Sequence, residues 1–208
     1  MPILIALSGQ HNSGKTTLGV YLLQRLTDEG YKVAVVKSTK ETGLITDQEN
    51  TDTHRYKKAG AKAVVLLQRD LATLYCSPPM GNKEELLSWV RTMFWNYDLV
   101  ILEGFKTWKG IPKIWILKEG EAREDVLKYY PNVELMIGLE ERDRAYEFVL
   151  RKLEERQKEE VNLWVEGKEI YLKPFIQVIL KEIVLGFLKG LKGVPKEVDQ
   201  IEVRIKAK

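Results

Sequence analysis

Eight residues near the start of the chain, Gly9-Gln10-His11-Asn12-Ser13-Gly14-Lys15-Thr16, fit the pattern G-x-x-x-x-G-K-[ST] at every fixed position. Each fixed residue answers a physical demand. Glycines admit backbone angles and close approaches that a Cβ would block. Consecutive backbone N–H groups then turn inward as an anion-binding nest. A helix starting near Lys15 adds its unpaired N–H groups and the positive end of its dipole. In such a loop Gly9, Asn12, Ser13, Gly14, Lys15, Thr16 and Thr17 hold phosphates. Lys15 reaches the β- and γ-phosphates, and Thr16 turns its hydroxyl to Mg²⁺. Gln10 stands where dimerising partition-type ATPases carry an extra lysine, so the loop is not of that kind. His11 has no partner ligands nearby in the sequence and is not assigned a metal.

A loop of this kind needs a carboxylate for the magnesium ion, placed at the end of a neighbouring buried strand. Asp98-Leu99-Val100-Ile101-Leu102-Glu103-Gly104 supplies one: four apolar residues end in Glu103, and Gly104 lets the chain turn. Glu103 is the expected metal residue, and Asp98, at the opposite end, is expected to be structural. The polar stretch from Ser38 to Thr53 holds Asp47 and Asp52. Two readings of Asp52 stand open, a second carboxylate near the metal or the N-terminal cap of the next helix. Lys106 and Lys113 flank the segment after Glu103 and are candidates for a phosphate or acidic ligand, or ordinary surface lysines.

These residues need strands and helices to hold them. Short β-branched runs alternate with helical patterns, which points to an α/β fold of the P-loop NTPase type. Its sheet is mostly parallel, with helices on both faces. Candidate strands are Ile3–Leu7, Val33–Lys37, Ala63–Leu67, Leu99–Leu102, Lys113–Leu117 and Val133–Leu139, mostly continuous apolar runs that expect cover on both faces. Three helical stripes accompany them. Leu18, Leu22, Leu23 and Leu26 are closed by Gly30. Leu86, Leu87, Val90, Met93 and Phe94 are opened by Asn82 with Glu85 three residues on. Tyr146, Val149, Leu150 and Leu153 make the third.

Composition changes after about residue 160. Val161–Leu172 has the pattern of two strands around Glu166-Gly167-Lys168. Pro174–Leu191 is a helix with Pro in its first turn and apolar residues on almost every side. Ile201–Ile205 alternates apolar and charged residues as a final half-exposed strand. The expected division is a nucleotide-binding domain over 1–160 and a hairpin–helix–strand (ββαβ) module over 161–208. The module is expected to pack on the main domain or on a second copy of the chain.

Composition sets outer bounds. The 208 residues suit one α/β domain with a small addition. A single cysteine, Cys76, allows no internal disulfide, and the reducing cytoplasm is the simplest location. The net charge of +3, with both signs mixed, gives no basic face for nucleic acid. No run is long and apolar enough for a membrane span, because Lys181 and Glu182 interrupt the greasiest helix.

Taken together, these motifs resemble the molybdopterin-guanine dinucleotide biosynthesis protein B (MobB) family. The resemblance rests on the loop followed by Thr17-Leu18, on Thr51-Asp52-Thr53 with Ala59-Gly60-Ala61, on Asp98 to Gly104 followed by Phe105-Lys106, and on Pro112-Lys113-Ile114. It runs from about residue 3 to residue 140. It implies a GTP-binding homodimer with slow GTP hydrolysis. Such a protein assists the guanylyltransferase that attaches GMP to molybdopterin, and molybdopterin itself is a further expected partner. By position, Gly9 to Thr17 would bind phosphates and Thr16 and Glu103 would serve Mg²⁺. The chain contains no Lys-x-Asp, so GTP is implied by the resemblance alone. Shorter members lack the tail from Val161 onward, and many carry histidines where this chain has Lys37-Ser38-Thr39-Lys40-Glu41. Two other classes use the same loop. A small-molecule kinase would need Asp47 or Asp52 facing the γ-phosphate. A metal-inserting GTPase would need Cys and His clusters, against one cysteine and two histidines here.

Overall fold

The computed structural model describes residues 1–39, 47–79, 81–157, 161–165 and 168–195, with Ile201, Val203 and Ile205. The described chain divides into two compact units, Met1–Arg156 and Gln157–Lys208.

The first unit is built on five strands: β1 (Ile3–Gly9), β2 (Val33–Lys37), β5 (Leu99–Glu103), β6 (Lys113–Ile116) and β7 (Val133–Ile137). Their order is β2-β5-β1-β6-β7, and every pairing is parallel. Side chains alternate along each strand, so one strand feeds two cores. From β1, Ile5 and Leu7 join Leu18, Leu22 and Leu26 of α1 (Lys15–Asp28), and Tyr146, Val149 and Leu153 of α5 (Arg142–Gln157). Leu4 and Ala6 point the other way, to Val90 and Leu87 of α3 (Lys83–Met93). The three expected stripes therefore cover the two faces of the sheet.

Local signals set the helix ends. The Asn82 side chain accepts the Glu85 backbone N–H at 2.9 Å and starts α3. Gly30 has φ 90° after α1. Around it Tyr31 N–H bonds the Leu26 carbonyl at 3.0 Å, a left-handed C-terminal closure that favours glycine.

Two expectations need correction. Ala63–Leu67 is a strand, β3, but it does not enter the parallel sheet. It pairs antiparallel with β4 (Ala72–Cys76), which periodicity missed, as a separate two-stranded ribbon. Val64 is half-buried and the other β3 residues are exposed, so the apolar run is not covered on both faces. Asp52 is not a helix cap. Thr51 caps α2 (Asp52–Lys58), its hydroxyl accepting the His54 N–H at 3.3 Å, and Asp52 is the first helical residue.

In the second unit β8 (Leu163–Val165) and β9 (Lys168–Ile170) pair antiparallel, and α6 (Pro174–Lys189) follows with Pro174 in its first turn. The turn residues Glu166 and Gly167 lie outside the described residues. Ile201, Val203 and Ile205 carry no strand; the other residues of that expected strand lie outside the described ones. Helix α4 (Arg123–Tyr129) completes the element order of the first unit.

Candidate functional site

The phosphate loop hangs between the last residue of the central strand β1 and the first turn of α1. Gly9 permits a close approach: a Cβ there would stand 2.4 Å from Ser13 Oγ and 2.7 Å from the Ile116 carbonyl oxygen. Asn12 and Gly14 have φ 57° and 88°, the left-handed angles that turn the loop back on itself. Across from Gly14 lies Leu139, whose side chain would be 2.9 Å from a Cβ at that position. No side chain caps α1 and no acidic residue stands in its first turn. The first N–H groups of the helix, with its positive dipole end, thus face the loop for an anion.

Lys15 arches over the loop, its ammonium donating to the Gln10 carbonyl at 2.5 Å and the Gly9 carbonyl at 3.4 Å. Burial lowers its pKa from the ordinary lysine value. Glu103 opposes that shift, while Lys106, Lys118 and Lys37 reinforce it by repulsion. One carboxylate and three further lysines thus set the field around Lys15. Gln10 also donates to Glu121 at 3.3 Å, tying the loop to the turn after β6.

Glu103 ends β5, a strand buried along its whole length. Register places it opposite Leu7 of β1 on one side and Lys37 of β2 on the other. The Thr16 hydroxyl lies 3.1 Å from both Glu103 carboxylate oxygens. Lys37 Nζ lies 3.0 Å from Oε1. Gly104, at φ 113°, turns the chain away beneath Ser38, and its carbonyl accepts the Ser8 hydroxyl at 3.1 Å. One hydroxyl and one carboxylate beside a phosphate loop form a hard-oxygen donor set, and that chemistry fits magnesium, which takes few protein ligands and fills its shell with phosphate and water. The crevice beyond the carboxyl ends of parallel strands is where open α/β sheets bind ligands.

The remaining sequence candidates fall elsewhere. Asp52 is exposed and lies 3.7 Å from Arg55 on its own helix. The Asp47 side chain is buried. It accepts the Thr51 hydroxyl at 3.1 Å and the Thr53 hydroxyl at 2.9 Å, with Lys57 at 3.6 Å. Burial pulls its pKa up, but the two hydroxyls and Lys57 outweigh burial and hold it below the ordinary carboxylate value. Asp98 is structural, as expected: it accepts the Lys32 backbone N–H at 2.7 Å. Lys106 has its ammonium 5.6 Å from the Tyr130 ring centre and adds to the positive field at Lys15.

Lys113 requires a correction. It is fully buried, and its ammonium donates to the carbonyls of Trp108, of Ile111 at 3.3 Å and of Pro131 at 2.7 Å. A lysine has three protons to give, so these bonds leave none for a ligand. Sequence reasoning also passed over Lys37. Its signal was positional, since it is the last residue of a strand that ends beside the loop. Among the described residues no three His, Cys, Asp or Glu side chains gather to hold a metal. None of the described helices is long and apolar enough to cross a membrane.

Comparison with known proteins places this geometry in a lineage. Residues 4–137 match the family model described as molybdopterin guanine dinucleotide synthesis protein B. A Methanocaldococcus jannaschii protein, provisionally named a molybdopterin-guanine dinucleotide biosynthesis adapter protein, is 30% identical over 97% of each chain. The Haemophilus influenzae adapter protein of the same name is 30% identical over 63% of this chain and 69% of its own. A crystal structure of a molybdopterin-guanine biosynthesis protein B shares the fold, with TM-score 0.51 and 24% identity over 73% of this chain and 99% of the other. A MobB homologue from Bacillus stearothermophilus does so with TM-score 0.51 and 20% identity, over 75% of this chain and all of the other.

Proposed function

The chain belongs to the molybdopterin guanine dinucleotide synthesis protein B (MobB) family, and from that premise we propose that it is an adapter in making the guanine dinucleotide form of the molybdenum or tungsten cofactor. In this role it holds magnesium-bound GTP in the loop from Gly9 to Thr17. It assists the guanylyltransferase that joins GMP to molybdopterin, and molybdopterin is a second ligand to be expected near the same strand ends. A cytoplasmic location suits that task.

The observation that carries the reading is the meeting of Thr16 with Glu103, 3.1 Å apart, at the mouth of the phosphate loop. Thr16 and Glu103 would hold the ion, which when bound offsets phosphate charge. The loop N–H groups orient the phosphates, and Lys15 adds the cation that reaches the terminal ones. The kinase reading is not favoured: Asp52 is exposed beside Arg55, and Asp47 is engaged by two threonine hydroxyls.

No arginine finger or water-positioning glutamine is recognisable in the motifs. Isolated turnover is therefore expected at about 10⁻⁴ to 10⁻² s⁻¹, the range of unassisted GTPases. A phosphate-release assay returning about 1 s⁻¹ or more would reveal a catalytic group overlooked here. The adapter role is tested by reconstitution. Added to a guanylyltransferase, molybdopterin and Mg²⁺–GTP, the parent chain should raise the yield of the dinucleotide cofactor and Lys15→Ala should not. Equal yields with and without the parent chain would refute the role.

A further inference from the structure

Only 12% of the Glu103 side chain is exposed. A carboxylate withdrawn that far from water needs a positive neighbour. Among the described residues Lys37 is its ion-pair partner, at 3.0 Å, with Lys15 also feeling its charge. The pair follows from strand register, since Lys37 closes β2 directly opposite Glu103 at the close of β5. The two partners differ in freedom. Glu103 is held by a strand buried throughout. The Lys37 side chain is 63% exposed, so its ammonium can swing out to water once another cation takes over the carboxylate. The Thr16 hydroxyl, meanwhile, shares its one proton between the two carboxylate oxygens from the side of the phosphate loop.

We propose that Lys37 is the resident counter-ion of Glu103 and gives up that place to magnesium as nucleotide loads. The proposal rests on the assignment of Thr16 and Glu103 to the ion. An ammonium and a divalent cation drawn to one carboxylate compete for the same oxygen and repel each other across a few ångströms. Lys37 thereby sets the magnesium concentration at which nucleotide is captured, and it keeps the buried carboxylate neutralised before capture. It is a positioning residue that acts through Glu103 and does not touch the nucleotide.

The test is a magnesium titration of binding, using a fluorescent GTP analogue at fixed concentration, together with thermal unfolding of the nucleotide-free full chain. Lys37→Met and Lys37→Gln should both lower the half-saturating magnesium concentration by about three- to tenfold. Both should keep parental affinity at saturating magnesium and melt below the parent when free of nucleotide. Lys37→Arg should restore parental values. An unchanged or raised magnesium requirement would overturn the proposal. So would lost affinity at saturating magnesium, which would make Lys37 a phosphate ligand instead. Glu103→Gln separates this inference from its premise. If its titration coincides with the parent's, the ion assignment itself fails. If it shifts while both Lys37 variants do not, the assignment stands and the counter-ion role falls.

Discussion

At the scale of single residues, the chain divides its lysines between two kinds of work. Lys15 and Lys37 keep partial access to solvent and sit among charges. Lys113 is wholly interior and binds the segment after β5 to the turn before β7 through the carbonyls of Trp108, Ile111 and Pro131. Burial pushes its pKa down to about 8 from 10.5. The native value lies below the unfolded one, so between these values the unfolded chain holds more protons. Stability linked to this group must then rise as pH climbs from about 8 to 10.5. Lys113→Met removes both the titration and the donors, and should destabilise the protein by about 2–4 kcal/mol through stranded carbonyls. Urea unfolding across that pH window should show the parent gaining on the variant. A constant difference would mean that Lys113 titrates as an ordinary lysine. The contrast also shows what the sequence can reveal. The phosphate loop and Glu103 were legible because their signals are local: glycines at fixed spacing, and a carboxylate ending an apolar run. Lys113 matched a family motif, yet its burial depends on carbonyls up to 18 residues away, which no local pattern encodes.

At the scale of elements, helices α1, α3 and α5 were legible from stripes and caps, since a helix lying on a sheet must show its period. Strand β3 was misplaced because an apolar run marks a strand without saying which sheet receives it. Its partner β4 has no strong alternation, and the ribbon they form leaves most of β3 exposed. Helix α6 keeps the strongest unexplained signal. Phe175, Ile179, Ile183 and Phe187 follow one another every fourth residue, and all four are exposed. A ridge of this kind invites a partner surface, and a two-fold dimer is the commonest answer. The expected assembly is a homodimer to which the tail contributes. Light scattering on the full chain should give the dimer mass, and a chain ending at Glu160 should show weaker association. A monomeric full chain at micromolar concentration would refute the dimer. A truncated chain that dimerises equally well would relieve the tail of that duty.

At the scale of the whole molecule, the chain is a parallel sheet carrying a phosphate-loop motif, followed in sequence by a second unit. The family match ends at residue 137, whereas the Methanocaldococcus jannaschii relative aligns over 97% of the chain. The tail is thus shared with that relative and is not peculiar to this sequence. The proposed function concentrates where β1, β2 and β5 end together, because the order β2-β5-β1 sets the loop, the carboxylate and Lys37 on adjoining strands. The central claim is that this place binds GTP with magnesium, and titration calorimetry of the parent and Lys15→Ala with GTP, ATP and Mg²⁺ tests it most directly. The account predicts binding by the parent that needs magnesium and prefers GTP. Lys15→Ala should lose at least about 1.5–3 kcal/mol of affinity, the worth of a charge-assisted bond. Equal affinity in parent and variant would contradict the assignment of the site.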